Sequence, residues 1–276
     1  MTGIMIYLGL PQWQHPKWAR AGIASLADYA RYFNCVEGNT TLYALPNQER
    51  VLRWRDMTSD NFRFCFKFPA TISHQAALSH CDDLRDAFFT CLSPLANRIG
   101  QYWLQLPATF SPADLPKLWH FLDHLPDEFT YGVEVRHPAF FDKGEDERAL
   151  NRGLHQRQVN RVILDSRPVH QAIARNEAMQ EAQRKKPKLP VHAIMTASHP
   201  LVRFIGSDDK EQSSELFAIW LDKLTEWATQ GTPYLFLHTA DIGEVNSLLH
   251  RLWPLLQQRF PELITPPAFA EQASLF

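Results

Sequence analysis

Short runs of apolar residues recur along the whole chain, and stretches with helical spacing separate them. Eight of these runs are rich in β-branched and aromatic residues, which is typical of strands. The predicted strands are 4–9, 35–39, 62–67, 102–106, 131–136, 161–165, 201–206 and 234–238. Eight strands that alternate with helices predict an α/β fold, a TIM (β/α)8 barrel in a single domain, 1–276.

Helix signals between the runs support this interpretation. Three residues are typical helix N-caps: Ser25, Asn47 and Ser111. Ser111 is followed by a proline and then an acid in the first turn. Apolar residues at helical spacing fill 215–229 and 242–260, where Pro254 predicts a kink or break. A doubly wound open sheet is the competing fold, but no glycine-rich phosphate loop follows the first predicted strand.

The segment 169–190 departs from this rhythm because it is polar and ends in the basic run 184–188. Two interpretations stay open, a helix with a solvated basic end or a mobile lid over a site. We favour the solvated helix.

Composition narrows the class of protein. The chain has 276 residues, 45% of them hydrophobic and 21% charged, with a formal net charge of −2, so no global charge attracts nucleic acid or an anionic membrane. The four cysteines form no C-x-x-C pair, which argues against a disulfide framework or a zinc knuckle. No apolar run is long enough to span a membrane, and we expect a cytoplasmic protein.

Polar residues near the ends of the predicted strands share one side of each strand, because side chains two positions apart point the same way. The residues predicted to face the barrel interior are Glu37, Asn39, Lys67, Gln105, Glu134, Arg136, Asp165, Arg203 and His238. Barrel enzymes keep their active sites at the carboxyl ends of the strands. A plug of buried ion pairs is the alternative, but such pairs rarely stabilise a core better than apolar residues. We therefore favour a site.

The residue types indicate acid/base chemistry on an anion. Lys67, Arg136 and Arg203 suit a phosphate or carboxylate, whereas Glu37, Glu134 and Asp165 can transfer protons or orient the cations. The predicted catalytic residues are Glu37, Lys67, Glu134 and Asp165. Arg136 is expected to keep Glu134 ionised, and the nearby carboxylates are expected to keep Lys67 an ordinary ammonium.

Residues of the strand ends and the loops after them complete the predicted site. Rings such as Trp13 and Tyr43 can stack on a sugar or base, and His137 follows Arg136 directly. The predicted substrate-binding residues are Trp13, Asn39, Tyr43, His74, Gln105, Arg136, His137, Arg203 and His238. The expected partner is a small anionic molecule, with no membrane; the oligomeric state stays open.

Two other functions stay open. Glu37, Glu134, Asp165 and His238 are metal-ligand types that suit metal-assisted phosphodiester or sugar chemistry, but three cations nearby would repel a divalent ion. We therefore expect no dedicated metal site and no cofactor. A non-catalytic protein that binds nucleic acid or a ligand through its rings and the basic run is the third possibility, which the near-neutral charge weakens.

Taken in order, the strand-end motifs resemble the YecE-like family, catalogued as domain of unknown function 72. The motifs that carry the resemblance are Gly9-Leu10-Pro11-Gln12-Trp13, Glu37-Gly38-Asn39-Thr40-Thr41-Leu42-Tyr43, Phe64-Cys65-Phe66-Lys67, Ile72-Ser73-His74, Gln105-Leu106-Pro107, Glu134-Val135-Arg136-His137 and Arg203-Phe204-Ile205-Gly206. The resemblance implies a TIM barrel with a site at these positions, and it implies no particular reaction.

Overall fold

Eight parallel strands form a single sheet in the computed structural model, which describes residues 5–266. The strands are β1 (Tyr7–Gly9), β2 (Cys35–Gly38), β3 (Arg63–Lys67), β4 (Ile99–Gln105), β5 (Tyr131–Glu134), β6 (Asn160–Asp165), β7 (Leu201–Gly206) and β8 (Tyr234–Thr239). Their order is β1-β8-β7-β6-β5-β4-β3-β2, so each strand lies beside its neighbour in the chain and β8 returns to β1. The predicted barrel in a single domain is confirmed.

No ladder joins β1 and β2 in the described residues, and the barrel closes there through a backbone hydrogen bond from the Glu37 N–H to the Leu10 carbonyl at 3.1 Å and through side chains. The Tyr29 hydroxyl accepts a hydrogen bond from the Leu10 backbone N–H at 2.7 Å and donates to the Cys35 carbonyl at 2.9 Å. The Asn34 amide bonds the backbone on the β1 side at 2.7 and 2.9 Å. A Cβ on Gly9 would lie 2.3 Å from the Cys35 carbonyl oxygen, so only glycine allows this close approach.

Helices surround the barrel. The α-helices are α1 (Pro16–Ala19), α2 (Leu26–Tyr29), α3 (Thr40–Tyr43), α4 (Gln48–Asp56), α5 (Asp82–Leu92), α6 (Leu115–Leu122), α7 (Glu145–Gln156), α8 (Arg167–Gln171), α9 (Glu177–Lys185), α10 (Lys210–Trp227) and α11 (Val245–Arg259). Short 3₁₀ turns lie at Ser93–Arg98, Pro112–Asp114, Pro138–Phe140 and Ile242–Glu244, and a π turn lies at Thr71–Gln75. No helix among the described residues is both long enough and apolar enough to cross a membrane.

The predicted capping residues act as expected. Ser25 forms a capping box at the start of α2, and Asn47 accepts a hydrogen bond from the first turn of α4. Ser111 forms a capping box too, although it opens a 3₁₀ turn before α6 begins. Of the kink or break predicted at Pro254, the break is absent because α11 continues through this residue, and the kink stays a prediction.

Two apolar layers hold the barrel. The outer layer packs the strands against the helices, as where Phe66 of β3 stacks on Trp54 of α4 at 5.9 Å between ring centroids. The inner layer fills the barrel itself and includes Cys65, Trp103 and Phe236, all fully buried. Because this inner plug leaves the carboxyl ends of the strands above it, polar side chains at those ends rest on an apolar floor.

The polar segment 169–190 is mostly helical, since it takes in the end of α8 and the whole of α9. Arg184 and Lys185 are exposed, and Lys185 pairs with Glu181 one turn earlier. Much of the basic run is therefore a solvated helix end, as favoured. Lys186, the next residue, is half-buried and interacts electrostatically with Glu37 and Arg203 of the barrel strands.

Candidate active site at the carboxyl face of the barrel

A buried arginine joins two strands at the carboxyl end of the barrel. Arg203 of β7 binds Glu37 of β2 with two hydrogen bonds, Nε to Oε2 at 3.0 Å and Nη2 to Oε1 at 2.9 Å. Its third nitrogen, Nη1, donates to Glu134 Oε2 of β5 at 2.7 Å. All three side chains are at most 4% exposed, so these bonds are charge-assisted and shielded from water. The geometry fixes both carboxylates.

Arg136 and Lys67 bind the same two carboxylates from other directions. Arg136 donates to Glu134 Oε1 through Nε at 2.8 Å and Nη2 at 2.6 Å. Lys67 Nζ donates to Gln105 Oε1 at 2.9 Å and lies 3.4 Å from Glu37 Oε1. Arg136 keeps 20% of its side chain exposed, and its Nη1 has no hydrogen-bond partner among residues 5–266. It is therefore the member of the cluster that solvent reaches.

The floor beneath the cluster is the indole ring of Trp103. Lys67 Nζ lies 4.6 Å from its centroid and Arg203 Cζ lies 5.0 Å from it. An aromatic face attracts cations, and it holds both in place without neutralising either. The cluster therefore keeps its positive charge above the floor.

Burial and neighbouring charges shift the titration of the cluster. Burial alone would raise the pKa of Glu134, but Arg136 and Arg203 outweigh it and lower that pKa to about 2. The pKa of Glu37 likewise lies well below its usual range despite burial, because Arg203, His238 and Lys67 favour the carboxylate. Both glutamates are thus ionised at neutral pH. The arginines keep Glu134 ionised, as the sequence suggested.

Lys67 differs from the ordinary ammonium that the sequence led us to expect. Burial, with a further contribution from Arg203, lowers its pKa to about 7, and the attraction of Glu37 and Glu134 does not compensate. Near neutral pH this amine is therefore poised between its charged and neutral forms.

His238 of β8 pairs with Glu37 in a fixed orientation. Its Nε2 lies 2.8 Å from Glu37 Oε2, and burial lowers the pKa of His238 to about 4, so the imidazole is neutral. Because Glu37 is a carboxylate, Nε2 must be the donor, which leaves the lone pair on Nδ1. No partner for Nδ1 is found in the described part of the chain. Glu37 thus sets the tautomer of a ring that can accept a proton.

Lys186 belongs with this cluster, although it is not among the residues predicted from the sequence. Burial, with Arg203 next, lowers its pKa to about 8, and Glu37, Glu134 and Arg136 also act on it. The sequence does carry a signal for the burial of Lys186. Met179 and Ala182, the buried residues of α9, precede Lys186 at helical spacing on the same face. The neighbouring basic residues made Lys186 look like part of a solvated run.

Asp165 does not join the cluster, and the prediction that it faces the barrel interior is wrong. Its carboxylate accepts hydrogen bonds from Arg167 at 2.6 and 2.9 Å and from the indole N–H of Trp220, on α10, at 2.8 Å. These partners lie on the outer side of β6. Three consecutive apolar residues, 162–164, precede Asp165, so alternation could not distinguish the two faces.

The other predicted residues lie around the cluster or serve the loops. His74 is exposed, and burial together with Arg136 and Lys67 lowers its pKa, which places it at the rim. Tyr43 is 84% exposed at the end of α3. Asn39 donates to the Pro11 carbonyl at 3.0 Å, and His137 accepts from the Ala139 N–H within its own turn. Trp13 packs edge-on against Trp54 and contributes to the outer core.

Metal ligation has little support in this geometry. Within residues 5–266, no group of three or more His, Cys, Asp and Glu side chains is arranged to hold a metal ion. The oxygens of Glu37 and Glu134 already accept hydrogen bonds from guanidinium groups. With Asp165 on the outer side of β6, the ligand set proposed from the sequence is not assembled.

Comparisons with known proteins give the family. A family model described as "Protein of unknown function DUF72" matches residues 7–273. The chain is 69% identical to UPF0759 protein YecE of Escherichia coli strain K12 over 272 residues, which is 99% of this chain and 100% of that protein. The YecE protein of Escherichia coli O157:H7 is 68% identical over the same length.

Solved structures show the same fold at low identity. A DUF72 family protein from Enterococcus faecalis V583 matches with a TM-score of 0.70 and 17% identity, covering 93% of this chain and 96% of that chain. One from Thermotoga maritima MSB8 matches with a TM-score of 0.65 and 19% identity, covering 90% of this chain and 99% of that chain. The family match, the 69% identity to YecE over nearly the whole chain and the shared barrel together make this chain a member of the DUF72 family of proteins of unknown function.

Proposed function

We propose that this protein is an enzyme that binds a small anionic substrate at the carboxyl face of its barrel and acts on it by acid/base chemistry. The observation that carries the proposal is an imbalance of charge. When Lys67 is protonated, the three cations Lys67, Arg136 and Arg203 meet only two carboxylates, those of Glu37 and Glu134. Positive charge held away from water is costly unless a negative partner neutralises it. A substrate anion would supply that partner.

Arg136 is the proposed point of entry for the anion. Glu37, Lys67, Glu134 and Arg203 are each at most 3% exposed, so a ligand meets the more exposed guanidinium of Arg136 first. Its unpartnered Nη1 can donate to a phosphate or carboxylate oxygen. The phosphorylated substrate that the sequence suggested fits this entry.

Lys67 and His238 are the proposed proton-transfer groups. An amine with a pKa of about 7 changes charge in the range where general acid/base catalysis works best. His238 offers an unprotonated Nδ1 whose orientation Glu37 fixes. Because Glu37 and Glu134 are held ionised by arginines, we assign them to orientation instead of proton transfer, and Asp165 is left out of the site.

A thermal-shift screen with phosphorylated and carboxylated metabolites tests the binding step. Ligands of the site should raise the melting temperature of the wild type by mass action and should fail to do so for Arg136→Gln. Arg148→Gln is the matched control, because Arg148 is also an arginine paired with a glutamate but lies exposed on α7. If no anion stabilises the wild type, the cluster is an ion-pair plug and the proposal is wrong.

Turnover of each binding compound, followed by NMR, tests the catalytic step. Lys67→Met should abolish conversion, and it should weaken the binding shift without removing it, because Arg136 and Arg203 remain. An anion that binds but is never converted would instead support a ligand-binding protein.

The other functions raised by the sequence gain no specific support. The metal-assisted mechanism loses Asp165, one of its four proposed ligands. The nucleic-acid mode needs a clustered basic surface, but Lys185 is paired with Glu181 and Lys186 turns toward the barrel. A cytoplasmic location remains our proposal, and the four free thiols are typical of reducing compartments.

A further inference from the structure

We propose that Lys186 completes the site as a receptor for a doubly charged tetrahedral anion, such as the terminal phosphate of a phosphate monoester. This inference deepens the proposed function and rests on it. It adds a charge requirement to the substrate and a ligand from the segment that follows α9.

The backbone around Lys186 is held firmly beside the end of β6. Its carbonyl oxygen accepts a hydrogen bond from His170 Nε2 at 3.1 Å, and its N–H donates to the Ala182 carbonyl at 2.8 Å. The next carbonyl, that of Pro187, accepts from the Ser166 hydroxyl at 2.7 Å. These three bonds fix the direction in which the lysine side chain leaves the chain.

A second anchor lies six residues later. His192 Nδ1 lies 2.6 Å from Glu147 Oε1, and the same oxygen accepts from Arg161 Nη1 at 2.9 Å. Glu147 and Arg161 are both buried. Residues 186–192 are thus tied at both ends, so Lys186 is positioned before any ligand arrives, which reduces the entropy lost on binding.

The ammonium of Lys186 has no hydrogen-bond or ion-pair partner among residues 5–266. Every other cation of the cluster contacts a carboxylate: Lys67, Arg136 and Arg203. Lys186 nevertheless lies within electrostatic range of Glu37, Glu134, Arg136 and Arg203. A half-buried lysine directed at a cationic cluster, without a partner of its own, is the arrangement that an anion would stabilise.

Counting charges gives the class of anion. Below about pH 7, where Lys67 and Lys186 are both protonated, four cations, Lys67, Arg136, Lys186 and Arg203, face two carboxylates, Glu37 and Glu134, which leaves two positive charges. A singly charged ligand would leave one of them uncompensated. A dianion balances both, and its tetrahedral oxygens can accept from Arg136 and Lys186 at once.

Two probes of the same shape separate charge from geometry. Sulfate and methanesulfonate both present oxygens on a tetrahedral sulfur, and at about pH 6, below the pKa values of Lys67 and Lys186, they carry two charges and one charge respectively. Isothermal titration of the full-length protein at low ionic strength should show sulfate binding at least tenfold more tightly than methanesulfonate. In Lys186→Met this preference should disappear through a loss of at least tenfold in sulfate affinity, with little change for methanesulfonate.

Lys188→Met is the matched control, because Lys188 is an exposed lysine two positions later. It should keep the wild-type preference, and Lys186→Arg should restore most of it. Thermal unfolding of each variant shows whether the fold is intact. If Lys186→Met binds both probes as the control does, the inference is wrong while the anion site stands. If the wild type binds neither probe and Arg136→Gln behaves identically, the proposed function itself fails.

Discussion

Replacing Arg203 by methionine should destabilise the protein strongly, because this side chain is the central cation of the cluster. Arg203 makes three charge-assisted hydrogen bonds to Glu37 and Glu134 and is almost fully buried. Methionine preserves much of the volume but leaves two buried carboxylates with fewer partners. Removing one side of a buried ion pair costs about 3 to 5 kcal/mol.

The titration of Glu134 sets an upper limit on how much of this loss can come through Glu134. Its pKa falls from 4.5 to about 2 in the folded protein, and each pKa unit corresponds to about 1.4 kcal/mol. The folded environment therefore favours the carboxylate of Glu134 by about 3 kcal/mol. Arg203 supplies part of this preference, with Arg136 and Lys67 supplying the rest. We expect a total loss of about 3 to 5 kcal/mol for Arg203→Met at pH 7.

Urea unfolding followed by circular dichroism measures the loss, and pH distinguishes its cause. At pH 4 the deficit should shrink, because the variant's glutamates, with pKa values nearer normal, gain protons that the wild type's do not. Lost packing alone would give the same deficit at both pH values. A deficit under about 1 kcal/mol, or one that does not change with pH, would refute the electrostatic role of Arg203. Arg148→Met, at an exposed pair, should lose less than about 1 kcal/mol.

Three further outcomes follow from the structure. The wild type should lose stability as the pH falls from about 4.5 toward 2, because a glutamate whose pKa is lowered in the folded state stabilises the fold only while it is ionised. Urea midpoints that stayed constant over this range would contradict the lowered pKa of Glu134. Asp165→Asn should lower the free energy of unfolding in urea by about 2 kcal/mol without altering sulfate affinity, since the partners of Asp165 lie outside the barrel. A loss of sulfate affinity in this variant would show that Asp165 acts on the cluster. Tyr29→Phe should lower the free energy of unfolding by about 1 to 3 kcal/mol and accelerate deuterium exchange of the Leu10 amide, which donates to the Tyr29 hydroxyl. Unchanged exchange of this amide would show that the hydroxyl does not stabilise the end of β1.

The sequence predicted the barrel because its strands carry a strong local signal, but the exact ends of those strands depend on tertiary contacts. β5 was predicted to continue to Arg136, yet the ladder ends at Glu134. The arginine leaves the strand and folds back onto the Glu134 carboxylate at 2.6 Å, a contact that no pattern of hydrophobicity encodes. β4 begins at Ile99, earlier than predicted, because Gly100 and Gln101 lie inside the barrel despite their weak strand propensity.

The predicted convergence of side chains is found for Glu37, Lys67 and Arg203, which the structure brings together, and it is wrong for Asp165. Lys67 follows a clean alternation of polar and apolar residues, 63–67. Asp165 follows an unbroken apolar run, so its face could not be chosen. Lys186 comes from a helical insertion whose path across the barrel depends on distant anchors such as Ser166 and Glu147. Long-range placement of this kind is invisible to a local pattern.

The pairing of β1 with β8 has a consequence for how the chain folds. Tyr7 lies opposite Tyr234, 227 positions later, so this ladder has a very long loop to close. During synthesis β1 emerges early and cannot form that ladder until β8 has left the ribosome. Meanwhile side chains such as Tyr29, with a backbone hydrogen bond from Glu37 to Leu10, connect β1 to β2, and the other edge of β1 can pair with other chains. We expect closure of this ladder to be the last step of folding and the step at which aggregation competes most strongly.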